Sequence, residues 1–210
     1  MKKYLVIDTE TSGLFDFKQP ADAPSQPRLA TIAMIILDEE LKSVAETNYI
    51  IKPDGWEMSE AVTKINGLTT EHLTKHGRPI REVLAIYSGF VEAGAIVVAF
   101  NSQFDTKMVR GELRRAGLPD LFTVTPNICV MRAATPICKV PKKSGGGYKF
   151  PKLGEACAHF GIEQPAAPSA LGDARSAAEI MRRLHALKAL PEPEVHFAKD
   201  RPAPTPAPAT

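Results

Sequence analysis

Tyr4-Leu5-Val6-Ile7-Asp8-Thr9-Glu10-Thr11 is the stretch on which the fold turns. Residues 4–7 form a short apolar run that ends abruptly in acids, the pattern of a buried strand. Side chains alternate across a strand, so Asp8 and Glu10 project to the same face at its end. Two neighbouring carboxylates there lose solvation and repel each other unless something compensates. A divalent cation compensates directly, and oxygen-only donors favour magnesium or manganese.

Working outward, residues 30–37 (ATIAMIIL) read as a second strand. Residues 48–51 start a third, stopped by the turn signal Lys52-Pro53-Asp54-Gly55. The pattern then becomes helical over 59–65, 70–76 and 80–91. In the last of these Ile80, Val83, Leu84, Tyr87 and Val91 repeat with helical period. Residues 95–100 return to strand, 106–116 read as a helix stopped by Gly117-Leu118-Pro119, and 122–130 read as a fifth strand. Helices over 152–160 and 171–187 complete the set. Three early strands followed by alternating helices and strands predict an α/β domain, a mixed five-stranded sheet flanked by helices.

The 210 residues, 44% of them hydrophobic, suit one domain with a real core, placed at 1–190. Residues 191–210 are rich in proline and poor in apolar side chains, and read as a disordered tail that could dock a polymerase or other protein partner. The net charge of +2 favours no partner class by itself. The three cysteines, Cys129, Cys138 and Cys157, form no CxxC pair, which suggests reduced thiols and a cytoplasmic chain. The N-terminal apolar run is too short for a signal peptide or a membrane span, so no membrane partner is expected.

Two more acids extend the first pair. Met108 and Val109 lie three and four residues after Asp105, which places Asp105 on the apolar face of its helix. Asp173 stands in the same relation to Ala177, Ile180, Met181 and Leu184. Taken singly, either is also what a helix dipole selects in its first turn, and Asp8 and Glu10 could end an exposed strand. Four such placements together favour one metal site.

The segments Val6-Ile7-Asp8-Thr9-Glu10-Thr11-Ser12-Gly13-Leu14, Asn101-Ser102-Gln103-Phe104-Asp105 and Leu171-Gly172-Asp173-Ala174-Arg175 occur in the order of the three exonuclease motifs of the DEDD (DnaQ-like) superfamily, which the chain resembles over about residues 3–187. That superfamily includes the proofreading subunit of bacterial DNA polymerase III and ribonuclease T. Ile65-Asn66-Gly67-Leu68-Thr69 is similar to a further turn of the family. The resemblance implies a ribonuclease H-like fold and removal of nucleotides from 3′ ends of single-stranded DNA or RNA. Asp8, Glu10, Asp105 and Asp173 would hold two divalent ions, Mg²⁺ or Mn²⁺, against the terminal phosphodiester. Thr9, Thr11, Gly13 and Leu14 would hold the terminal nucleotide, with Asn66 and Phe104 nearby.

One position departs from the pattern. The family's histidine five residues before the last aspartate is replaced by Pro168, and the tyrosine that a sister branch places four residues before it is replaced by Ser169. Proline cannot take a proton, Ser169 suits a helix N-cap, and His185 lies about 18 Å along the helix from Asp173. His159, near the end of the preceding helix, is the remaining substitute. The sequence therefore implies a slow exonuclease, with a nucleic-acid-binding pseudo-exonuclease as the alternative. Two further segments read as substrate contacts. One is the lysine-rich, aromatic stretch 139–152, carrying Lys142, Lys143, Tyr148 and Phe150. The other is a helix face with Lys107, Arg110, Arg114 and Arg115, which an ordinary solvated face explains equally well. The long loop 15–28 reads as a wall of the groove.

Overall fold

A computed structural model describes residues 2–165 and 167–195. Its centre is a five-stranded mixed sheet in the order β3-β2-β1-β4-β5, formed by β1 (Tyr4–Thr11), β2 (Leu29–Leu37), β3 (Ser43–Ile50), β4 (Ile96–Ala99) and β5 (Asn127–Cys129). β1, β2 and β3 form an antiparallel meander, whereas β1, β4 and β5 run parallel. Among the described residues seven α-helices accompany the sheet: α1 (Glu60–Asn66), α2 (Thr70–His76), α3 (Ile80–Glu92), α4 (Ser102–Arg115), α5 (Val130–Cys138), α6 (Leu153–Phe160) and α7 (Ala170–Ala186).

The alternation in β1 decides which helix covers which face. Val6 joins Ala33, Ile35 and Val98 in a core closed by α5, α6 and α7. Leu5 and Ile7 join Ile32, Met34 and Val97 in a second core closed by α3 and α4. All nine residues of β2 are buried, as expected for a strand covered on both sides. A small third cluster of Ala30, Met58 and Leu73 seats α1 and α2.

The structure corrects several boundaries. β1 runs on through Thr11, so Asp8 lies well inside the strand instead of at its end, with Glu10 one residue short of it. β3 starts at Ser43, earlier than the apolar pattern indicates, because its first six residues are exposed. The expected strand over 122–130 divides into a 3₁₀ turn, Leu121–Val124, the short β5, and the start of α5. Asp120 caps the 3₁₀ turn by accepting the Phe122 amide at 3.1 Å. Helix α5 is absent from the sequence reading because Pro136 sits inside it and mimics a break. Within the segment read as a tail, Glu194 exchanges backbone hydrogen bonds with Asn127 of β5, at 2.8 and 3.0 Å. The tail from 196 onward lies outside the described residues, and no helix among the described residues is long and apolar enough to cross a membrane.

Loop 15–28 is docked along α4 over most of its length. Ser12 and Arg28 pair through their backbones and the Ser12 hydroxyl, closing the base of the loop. Buried Glu112 accepts from the Arg28 guanidinium at 2.8 Å and from the Leu29 amide at 3.1 Å. Arg115 donates to the Ala23 carbonyl at 2.9 Å. Gly111 allows the close approach, since a Cβ there would run into the carbonyl of Ala21.

Two glycine-to-alanine changes should therefore have opposite signs. Gly111→Ala overpacks the loop contact and lowers stability by roughly 1–3 kcal/mol. Gly89→Ala, at an exposed position of α3 with nothing within 4 Å of the new methyl, raises stability by roughly 0.5–1 kcal/mol. Urea denaturation of both variants checks the pair, and equal effects would contradict the docking of the loop.

Candidate active site

Strand β4 pairs with β1 only from Tyr4 to Val6. Beyond Val6, β1 continues alongside β2 alone, leaving its other edge open where the acids stand. Asp8 and Glu10 share the side of Val6, the face covered by α7, which brings Asp173. Thr9 lies on the opposite side, where α4 brings Asp105, and its hydroxyl donates to Asp105 Oδ1 at 2.8 Å. Two helices on opposite faces thus deliver one acid each to the same unpaired stretch of strand.

The carboxylates sense one another. Burial pushes the Asp8 carboxyl well above its ordinary value, and the charges of Asp105, Asp173 and Glu10 push it further in that order. Glu10 is raised by burial and by Asp173, partly offset by a hydrogen bond from Asn66. Burial lifts Asp105 to about 7 against the Thr9 hydrogen bonds that lower it. Asp173 is raised by burial. As the side chains stand, no group of three or more His, Cys, Asp or Glu among the described residues is placed to hold a metal ion.

The remaining site residues frame this cluster. The Thr11 hydroxyl donates to the Gly13 carbonyl at 2.6 Å, turning the chain out of β1. Asn66, the last residue of α1, donates to the Thr11 carbonyl at 3.4 Å and accepts from the Leu68 amide at 3.1 Å. Gly67 next to it takes φ +73°, which a side chain would strain. Leu14 is 94% exposed, and Ile65, beside Asn66, is 75% exposed. Such bare apolar side chains beside a carboxylate cluster are open to a ligand; the sequence reading singled out Leu14, whereas it placed Ile65 within a helix and gave it no role. Phe104 meets Phe15 edge-on at 6.5 Å.

Pro168 is exposed, and Ser169 caps α7 by accepting the Gly172 amide at 3.2 Å. His159 is exposed and packs edge-on against Phe160. Segment 139–152 forms a tight hairpin: the Lys149 amide donates to the Val140 carbonyl at 2.9 Å, with three positive-φ glycines at its tip. Lys149 is committed to Glu155, and Phe150 lies under the Arg132 guanidinium. Of the basic face on α4, Arg110 and Arg114 are bound to Asp120 and Arg115 to Glu112, so these three hold the fold together and are not free for phosphate.

A ribonuclease H-like sheet with two helices aiming acids at one open strand defines a DEDD-type nuclease scaffold. The sequence profile of the RNase_T family, described as Exonuclease, matches residues 5–181, and the chain belongs to that family. It is 33% identical over 116 residues to the PolC-type DNA polymerase III of Lactococcus lactis, covering 55% of this chain and 6% of that protein. With the PolC-type enzyme of Streptococcus suis it shares 28% over 156 residues, 74% of this chain and 10% of the other. The chain thus spans a small fraction of these relatives. Among solved structures, E. coli Exonuclease I in complex with a dT13 oligonucleotide superposes with a TM-score of 0.71 at 20% identity, covering 88% of this chain and 41% of that one. Exonuclease I from Methylocaldum szegediense gives 0.71 at 20%, covering 89% and 41%. At these identities the likeness is one of fold.

The raised carboxyls predict how stability responds to pH without metal. A folded-state pKa above the unfolded value near 4 means that the native protein binds the extra protons. Stability is therefore full below about pH 4 as far as these groups are concerned, and falls as pH rises toward 7, where Asp105 ionises. Asp8→Asn removes the most strongly opposed charge, so in EDTA it should raise Tm at pH 8 relative to the parent and lose that advantage near pH 4. A variant less stable than the parent at pH 8 would contradict the clustering.

Proposed function

We propose that the chain is a divalent-metal-dependent 3′→5′ exonuclease acting on ends of single-stranded DNA or RNA, and a slow one. The observation that carries this reading is the convergence of Asp8, Glu10, Asp105 and Asp173 on one open stretch of β1. Their fit to hard cations rests on the donor set: oxygen alone, partly buried, with every carboxyl raised by burial and three of them, Asp8, Glu10 and Asp105, also by neighbouring charge. When bound, Mg²⁺ or Mn²⁺, two ions by family resemblance, supplies Lewis acidity and a more acidic water.

The chain's own residues do the rest. Thr9 fixes the orientation of Asp105, and Asn66 steadies both Glu10 and the Thr11 carbonyl. Thr11 and Gly13 shape the turn that presents Leu14, and Leu14, Ile65 and Phe104 flank the terminal nucleoside. At Pro168 no side chain accepts the proton of the attacking water, so it leaves to solvent and the rate rises with pH. A positioned base contributes about 10²–10⁴-fold, which is the expected deficit.

One observation favours a second reading, a nucleic-acid-binding pseudo-exonuclease: Pro168 is solvent-exposed and the adjacent Ser169 is spent as a cap. Retention of four mutually repelling acids speaks for turnover. The Exonuclease I neighbour was solved with an oligonucleotide, and the PolC-type relatives are polymerases, which supports a single-stranded end as substrate and a cytoplasmic polymerase context.

Hydrolysis of 3′-labelled single-stranded DNA and RNA in magnesium or manganese tests this. Trimming from the 3′ end is expected, abolished by Asp8→Ala or EDTA and accelerated at neutral pH by Pro168→His, by up to the roughly 10²–10⁴-fold that a positioned base contributes. An inert parent protein that histidine does not rescue would leave the binding reading standing.

A further inference from the structure

Loop 15–28 and helix α4 carry a feature that the carboxylate site does not use. Phe104 and Lys107 are one helical turn apart on the same flank of α4. From Phe104 the ring of Phe15 lies 6.5 Å away, and from Phe15 the ring of Phe17 lies 5.5 Å further. Phe15 is buried, whereas Phe17 is 45% exposed. The Lys107 ammonium sits over both loop rings, 5.4 Å from the centroid of Phe15 and 5.3 Å from that of Phe17.

Two details make this more than a surface aromatic. Lys107 has no carboxylate partner among the described residues, while the other three basic residues of α4 are held in ion pairs. The loop is also fixed internally: Gln26 accepts from the Asp16 amide at 3.0 Å and donates to the Asp16 and Pro20 carbonyls at 2.7 and 3.1 Å. Phe17 is therefore held in place before any ligand arrives, which lowers the ordering cost of binding. The same ammonium donates to the Phe17 carbonyl at 3.4 Å, which leaves its charge without a counter-charge. An exposed ring beside an ammonium with no carboxylate partner is the combination that binds unpaired nucleotides, a base on the ring and a phosphate on the cation.

We infer that Phe17 and Lys107 form a subsite for nucleotides upstream of the terminal one, Phe17 stacking a base and Lys107 contacting its phosphate. This rests on the exonuclease reading for the position of the 3′ end. It assigns loop 15–28 the task of gripping the strand and so requires more than a dinucleotide for full affinity.

The test is equilibrium binding of 5′-fluorescein thymidine dinucleotide and hexanucleotide, each with a hydrolysis-resistant 3′-terminal phosphorothioate, in magnesium. Phe17→Ala should weaken the hexanucleotide about tenfold and leave the dinucleotide unchanged. Phe17→Trp should restore the hexanucleotide. Lys107→Gln should reduce the salt slope for the hexanucleotide by about 0.7, one phosphate contact on a single strand. Equal weakening of both oligonucleotides, or of neither, would overturn the subsite and mark the loop as scaffold or a protein-docking surface. Failure of the exonuclease reading would show separately, as absence of trimming of an unmodified hexanucleotide by a parent protein whose binding still depends on length and on Phe17.

Discussion

Negative charge held partly out of water at the unpaired end of β1 is the constraint around which this molecule is built. Asp8 carries it most acutely, since burial and three neighbouring carboxylates all oppose its ionisation. A protein gains no stability from such a cluster by itself. On the proposed reading a cation would complete the cluster, and the rest of the architecture is the means of bringing the four carboxylates together.

The sheet topology provides the opening. β4 stops pairing at Val6, so the strand carrying the acids runs on with one free edge. The helices on the two faces then meet there, α4 bringing Asp105 and α7 bringing Asp173, each in the first turn. The positive end of a helix dipole is a favourable place for a carboxylate, so the two helices partly offset the repulsion they create. Thr9 and Asn66 add hydrogen bonds to Asp105 and Glu10. Loop 15–28 is tied to the same α4 through Gly111, Glu112 and Arg115, so the loop and one of the acids share a support.

Much of this was legible in the sequence because it rests on period and chemistry. The alternation through Val6, Asp8 and Glu10 gave the common face, and the apolar stripes behind Asp105 and Asp173 gave the inward direction. Less local features were not legible. Helix α5 was hidden by Pro136, and the short β5 was merged with flanking residues of similar propensity. The basic stripe on α4 read as a substrate contact or a solvated face, yet Arg110 and Arg114 converge on Asp120, and Arg115 binds Glu112. Nothing in the spacing of arginines reveals partners that tertiary folding supplies. Phe17 had no period to betray it, because it stands on a loop whose shape is set by Gln26 and by docking.

The central claim is that the four carboxylates are one site completed by a cation. The direct measurement is calorimetric titration of manganese into the protein near pH 6.5 in buffers of different ionisation enthalpy. Binding should release protons, because carboxyls raised by burial and mutual repulsion must ionise to bind, and both the binding and the release should vanish in Asp8→Asn. Absence of binding, or binding without proton release that survives Asp8→Asn, would contradict the account.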